Sequence, residues 1–232
     1  MTGRPLLITD CDEVLMHMVS HFDAWLGEAH GIRFAYETGS FAEAMTVDAT
    51  GETVAPERVW PLLEQFFREE IDRQTIVPGA VDALGRIGEI ADIVILTNLG
   101  DEAHPWRVKQ LARHGIRHEV VCNSGGKGVP ARDIVERYGA TRAAFVDDLP
   151  VHHASVAKHA PEVWRLHMVA EPKLAPAVPP AKDAHVRIDD WRPASDWLIE
   201  RLTQCPGPRS LPASPRGSAS PRRGGSSRAD GA

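Results

Sequence analysis

Cysteine is scarce in this chain. Cys11, Cys122 and Cys205 are three in 232 residues, too few and too scattered for a disulfide framework or a zinc ribbon. Long apolar runs are also missing; none approaches the ~20 residues that a membrane span needs. Positive charge is not in excess, since 26 Lys and Arg face 32 Asp and Glu for a net charge of -6. A general nucleic-acid binder would want a basic face, so that class is set aside. The opening MTGRPLLITDCDEVL has only a short apolar stretch, cut off at once by acids, which is not the pattern of a signal peptide. The expectations are a cytoplasmic location with neither nucleic acid nor membrane as partner, as a monomer or homodimer.

Hydrophobic residues make up 43%, an ordinary share for a globular chain, and they recur in a rhythm. Short apolar runs stand at LLIT (6–9), DIVILT (92–97), EVVC (119–122), AAFV (143–146) and VWRLHMV (163–169). Amphipathic stretches over 78–87, 105–114 and 131–138 separate the later runs, the last two stopped by Gly115 and Gly139. Near-continuous apolar strands alternating with helices predict an α/β fold, a doubly wound parallel sheet with a Rossmann-like core covered on both faces. One interval breaks the rhythm. Residues 16–77 are far more than a crossover requires, and they hold two helical patterns, 17–30 and 57–71, the second started or kinked by Pro61. The stretch between them is weakly patterned, as a hairpin or irregular chain. The predicted organisation is a core of residues 1–15 and 78–204, a small, mainly helical inserted cap over 16–77, and a disordered Pro/Ser/Arg/Gly-rich tail over 205–232.

In open α/β sheets, ligands bind at the carboxyl ends of the strands. The first run ends in Asp10-Cys11-Asp12, the DIVILT run in Thr97-Asn98 and the AAFV run in Asp147-Asp148, with Lys127 in the GGKG loop between the third and fourth runs. Like charges that converge repel unless a cation, a proton or a reaction needs them there. Clustered carboxylates suit a hard divalent cation such as Mg²⁺. One carboxylate can attack phosphorus, another can move the leaving group's proton, and a hydroxyl, an amide and an ammonium can hold phosphoryl oxygens. Taken singly, each motif has an ordinary reading: an acidic turn, a helix cap, a surface lysine.

The order DCDEV, ILTN, lysine, FVDD resembles the haloacid dehalogenase superfamily of phosphohydrolases, over residues 5–170, with the insertion placed like that superfamily's cap. The resemblance implies Asp10 as nucleophile and Mg²⁺ ligand. It implies Asp12 as general acid/base, binding the metal through its backbone carbonyl. Thr97 and Lys127, with the Asn98 amide, would bind the phosphoryl group, and Asp148 would ligate the metal with Asp147 supporting it. The implied activity is Mg²⁺-dependent hydrolysis of a small phosphoester through an aspartyl-phosphate. Phosphoryl transfer or mutase chemistry, and a non-catalytic regulatory protein that retains the fold, stand as alternatives. Two features depart from the family pattern: Glu13-Val14 follows Asp12, and the lysine lies in GGKG instead of a Lys-Pro pair. His17 and His21, four apart, would share a helix face. His152 and His153 would lie near the pocket rim. Phe34, Tyr36, Phe41 and Trp60 either line a pocket or form the cap's own core, the second being the favoured reading.

Overall fold

The computed structural model describes residues 3–38 and 41–204. The tail predicted over 205–232 lies outside them. Strand β1 (Leu6–Thr9) leads into β2 (Met16–His17), helix α1 (Val19–His30), β3 (Ile32–Phe34), β4 (Met45–Val47), α2 (Pro56–Glu70) and β5 (Thr75–Ile76). Then follow α3 (Ala80–Gly88), β6 (Asp92–Thr97), α4 (His104–Arg113), β7 (Glu119–Cys122), α5 (Gly128–Tyr138), β8 (Ala143–Asp147), α6 (Pro150–His159), β9 (Trp164–His167), β10 (Val186–Arg187) and α7 (Trp191–Thr203). Among the described residues, no helix is long and apolar enough to cross a membrane.

The strands assemble into one parallel six-stranded sheet in the order β10-β9-β8-β1-β6-β7. Alternation along the strands explains the layers. Leu7, Ile93, Ile95, Ala144 and Val146 pack under α3 and α7, while Leu6, Ile8, Val94, Leu96 and Phe145 pack on the other face under α5 and α6. Leu6, Leu7 and Ile8 are fully buried. Each contributes about 1.5–3 kcal/mol of burial, which fixes β1 at the centre of the sheet. Thr9 lies opposite Ile95 on one side and Val146 on the other. The residues that follow therefore emerge together: Asp10, Thr97 and Asp147-Asp148, at the point where the strand order reverses.

The intervening segment has its own core, in which Phe22, Trp25 and Phe66 pack as a ring cluster with Phe22–Phe66 centroids 5.4 Å apart. It joins the sheet layer through the antiparallel ribbon β2–β5, with Met16 opposite Ile76 and His17 opposite Thr75. The weakly patterned middle is a β3–β4 hairpin. Three details differ from expectation. His17 belongs to the ribbon, so it shares no helix face with His21. Helix α2 runs through Pro61, which lies on its exposed side. The lost bond and ring clash cost ~3 kcal/mol, offset on the opposite side by the buried Val59, Leu62, Phe66 and Phe67 at about 1.5–3 kcal/mol each. Finally, β10 adds a two-residue edge strand, too short to leave a periodic signal.

Candidate active site

The end of β1 is held by Asp10 N–H donating to the Val146 carbonyl at 2.8 Å, which continues the β1–β8 ladder by one residue. Asp10 Oδ1 accepts from the Cys11 N–H at 2.7 Å and lies 2.8 Å from Lys127 Nζ. The same ammonium donates to Asp147 Oδ2 at 2.7 Å, and Lys127 is fully buried. Asp147 Oδ1 accepts from the Leu149 N–H at 2.9 Å, holding the turn into α6. His153 Nε2 sits 3.0 Å from the Asp147 carbonyl, and His167 Nε2 2.8 Å from that of Asp148.

The departure from Lys-Pro has a packing cause. At Gly128 a Cβ would stand 2.1 Å from the Ser155 carbonyl oxygen, and at Gly126 one would stand 2.7 Å from Ser155 Oγ. Only glycines let this turn press against α6, where Ser155 Oγ accepts from the Gly128 N–H at 2.9 Å. That contact seats Lys127 beneath the strand ends.

Electrostatics follow from one ammonium among several buried carboxylates. Burial pushes the Asp10 carboxyl up to about 7, with Lys127 pulling it down and Asp147 and Asp12 adding repulsion. Burial, and then Asp147 and Asp10, hold Asp148 well above the usual carboxylate range. Asp147 stays below that range, because Lys127 and the nearby His152 and His153 outweigh its burial. Lys127 is itself held above its ordinary value, since Asp10 and Asp147 outweigh the burial that disfavours its charge. The cluster is short of positive charge. Oxygens of Asp10, Asp147 and Asp148 lie within 4.8 Å of one another, and an all-carboxylate, buried set of this kind fits a hard divalent cation.

Asp12 reaches the same cavity, but its carboxylate is held from the side. Arg107 Nη2, on α4, stands 2.8 Å from both Asp12 oxygens, and Gln74 Nε2 donates to Oδ1 at 2.7 Å. Arg107 Nη1 donates to Gln74 Oε1 at 2.9 Å and to Gln110 Oε1 at 2.7 Å, and Gln110 in turn donates to the Ile71 carbonyl. This network ties α4 to the chain entering β5.

Thr97 Oγ1 is buried and has no hydrogen-bond partner among the described residues, as befits a hydroxyl with a ligand oxygen to meet. Asn98 is brought to the cavity, but its amide is engaged: Nδ2 donates to the Gly125 carbonyl at 2.9 Å and Oδ1 accepts from Asn123 at 2.8 Å. The side chain braces the loop that carries Lys127. His152 lines the cavity, whereas His153 is buried behind it.

Glu13, the unexplained acid, adopts φ 60°, and its Oε1 accepts the N–H groups of Met18 at 2.8 Å and Val19 at 2.6 Å, capping α1. Burial pushes its carboxyl up to about 7 against the pull of those two N–H groups. Glu13, His17 and Glu171 form a second group whose ligand-type atoms lie within 4.8 Å of one another. A cavity of about 550 Å³ opens over Asp10, Asp12, Thr97 and Asp148, roofed by α2 and the β3–β4 region. Phe34, Tyr36, Phe41 and Trp60 line it, and the first three also pack on the ring cluster, so the two readings of these residues merge.

No protein-family model and no curated protein matches the sequence. Solved structures do match. A hydrolase of the haloacid dehalogenase-like family from Streptococcus pneumoniae superposes with a TM-score of 0.61 at 12% identity, over 85% of this chain and 100% of that one. A HAD family hydrolase from Deinococcus radiodurans R1, with bound phosphate and sodium, gives a TM-score of 0.56 at 13% identity, over 87% and 97%. YfnB of Bacillus subtilis in its magnesium-bound form gives 0.57 at 13% identity, over 85% and 99%. The chain has the haloacid dehalogenase-like fold.

Within that fold, sequence reasoning found the strand-end residues and missed those that hold them. Arg107 and Gln110 sit three apart on α4, which places them on one face, but nothing in the sequence names Asp12 and Gln74 as their partners. Ser155 and Glu171 lie in segments without a motif. Glu13 as a cap was invisible because it stands five and six residues ahead of the N–H groups it meets, not at the usual capping position.

Proposed function

We propose that this chain is a Mg²⁺-dependent phosphohydrolase acting on a small phosphoester. The observation that carries the reading is the buried Lys127 ammonium, 2.8 Å from Asp10 Oδ1, beside the unpartnered Thr97 hydroxyl at the same cavity. Similarity in fold to the phosphate-bound Deinococcus and magnesium-bound Bacillus structures supports it.

Asp10 attacks phosphorus, and the bond to the leaving oxygen breaks. Lys127 offsets the charge of Asp10 and, with the Thr97 hydroxyl, of the phosphoryl oxygens. Asp12 hands a proton to the departing alcohol, then takes one from the water that attacks the aspartyl-phosphate, which releases phosphate and restores Asp10. The Asp12–Arg107 pair must loosen and re-form in each cycle. The metal would be held by Asp10, Asp148 and the Asp12 backbone carbonyl, with Asp147 fixing Lys127; bound there, it supplies positive charge to the transferring group. The segment over 16–77, which enters and leaves through the β2–β5 ribbon, acts as the cap that closes over substrate.

The test is release of phosphate from an aryl phosphate by the full chain, with and without Mg²⁺, beside Asp10→Asn. Metal-dependent release that falls to background in the variant supports the reading. Release that survives Asp10→Asn overturns the nucleophile assignment. Absence of turnover across aryl, alkyl and sugar phosphates overturns the hydrolase itself.

A further inference from the structure

The cavity over Asp10 has two unlike halves. At the strand ends stand carboxylates: Asp10, Asp12, Glu13 and Asp148. The opposite wall is carbon, with Phe34, Phe41, Trp60 and Phe67 supplying rings and Leu63 and Leu174 supplying aliphatic surface. Among the described residues that line it, none is Lys or Arg. The cations stand outside the wall and are engaged there. Lys127 is on Asp10, Arg107 is on Asp12 with its guanidinium 5.5 Å from the Phe67 ring centre, and Lys173 Nζ is 5.6 Å from that of Tyr36. The wall's hydroxyls are committed as well: Tyr36 donates to Asp23 Oδ2 at 3.1 Å and Thr38 to the Ala35 carbonyl at 3.2 Å.

This composition discriminates between leaving groups. A sugar alcohol would bury several hydroxyls against carbon, and each unpaired polar group costs about 1–3 kcal/mol on burial. A nucleoside monophosphate would bury its ribose hydroxyls and the polar edge of its base against the same wall, and a phosphorylated acid would bring more negative charge into a site already rich in carboxylates. A flat apolar ring would instead extend a ladder that is in place. Phe34 and Phe41 centroids are 5.3 Å apart, and Phe41 stacks on Trp60 at 6.1 Å and 15°. Trp60 lines the cavity and is 57% exposed, a large apolar side chain covered on one face by Phe41. We infer that the substrate is the monophosphate ester of an uncharged, apolar, ring-bearing alcohol, with the phosphoryl group at Asp10 and the ring against Phe41 and Trp60. The inference deepens the proposed phosphohydrolase activity and rests on it for the position of the phosphoryl group.

The experiment compares kcat/KM of the full chain with Mg²⁺ for 2-naphthylmethyl phosphate and for glycerol 3-phosphate, glucose 6-phosphate and AMP. All four are esters of primary alkyl alcohols, which keeps chemical reactivity comparable, so the ratio reads the pocket. The naphthylmethyl ester is expected to lead by roughly 100-fold, the scale of burying one Phe-sized group. Trp60→Arg, at an exposed helix position, should raise its KM about tenfold, the loss of part of one ring contact. Equal or better turnover of glucose 6-phosphate or AMP overturns the inference and leaves the hydrolase intact, as does a KM unmoved in Trp60→Arg. Should no ester be hydrolysed, calorimetry with 2-naphthalenemethanol separates the two ideas: binding upholds the ring site while the hydrolase fails, and absence of binding overturns both.

Discussion

Arg107 sets one guanidinium nitrogen 2.8 Å from both carboxylate oxygens of Asp12 while exposing none of its own surface. A fully buried guanidinium is tolerable only with its partners in place, and Asp12, Gln74 and Gln110 are those partners. Arg107→Met removes the cation and leaves a partly buried carboxylate and two buried amides short of partners. The expected loss is roughly 3 kcal/mol of stability, with activity falling further than stability explains because Asp12 loses its orientation. Urea midpoints and kcat at a temperature where the variant is folded check this. A stable variant with normal kcat would remove Arg107 from any role in placing Asp12.

Glu13 combines a cap with a strained backbone, and substitutions separate the two. Glu13→Ala loses both hydrogen bonds to the start of α1 and keeps the cost of φ 60°. Glu13→Gly loses the same bonds and relieves the backbone. The alanine variant is therefore expected to be about 1 kcal/mol less stable than the glycine variant, which denaturation of the two side by side measures. The reverse order would show that the left-handed backbone is not retained.

The Gly128–Ser155 contact makes a sharper prediction. Gly128→Ala directs a methyl group at a backbone carbonyl on α6, so removing the Ser155 hydroxyl cannot relieve the clash. Helices α5 and α6 must part and carry Lys127 away from Asp10. The expected cost is about 3 kcal/mol with loss of turnover, and Gly128→Ala combined with Ser155→Ala should do no better. Recovery in the double variant would mean that the hydroxyl alone is the obstacle.

These cases show which parts of the molecule the sequence carries. The sheet was legible because its strands are short, continuous apolar runs between helices of clear period, and because their last residues are chemically unlike their interiors. Asp10, Thr97, Lys127 and Asp148 could be placed together from chain order alone. The helix over residues 104–113 was legible as an element, but not the fact that Arg107 faces inward, since amphipathic patterning expects a charge to face water. The β3–β4 hairpin and β10 depend on pairing across the fold, which leaves no local period. Spacing alone places His17 in a helix, whereas its antiparallel pairing with Thr75 sets it in a ribbon.

The surplus of buried carboxylates gives the metal-free protein an unusual pH response. Asp10 and Glu13 titrate near 7 in the fold against ordinary values of 3.8 and 4.5, and Asp148 is raised in the same direction. Burial is the first cause for each. Between the ordinary and the raised value, the folded state holds more protons than the unfolded chain, so stability falls as pH rises through that window. Histidines oppose this over part of the range. Burial lowers His153 and His185 from 6.5 to about 4, so the unfolded chain binds more protons there and stability rises with pH through about 6.5. His21, His118, His152 and His167 are lowered in the same direction. The unfolded histidines finish losing their protons about one pH unit above 6.5, so up to about pH 7.5 the two trends offset each other, and above it the carboxyls alone continue to lose protons. In EDTA the urea midpoint is expected to fall between pH 7.5 and pH 9. Asp148→Asn should flatten the fall, because one of the repelling charges is gone. Mg²⁺ should raise the midpoint more at pH 8 than at pH 6.5, since a cation that binds only the folded state stabilises it most where the carboxylates are ionised. A midpoint in EDTA that stays level or climbs from pH 7.5 to pH 9 would mean that Asp10, Glu13 and Asp148 ionise in the fold without cost.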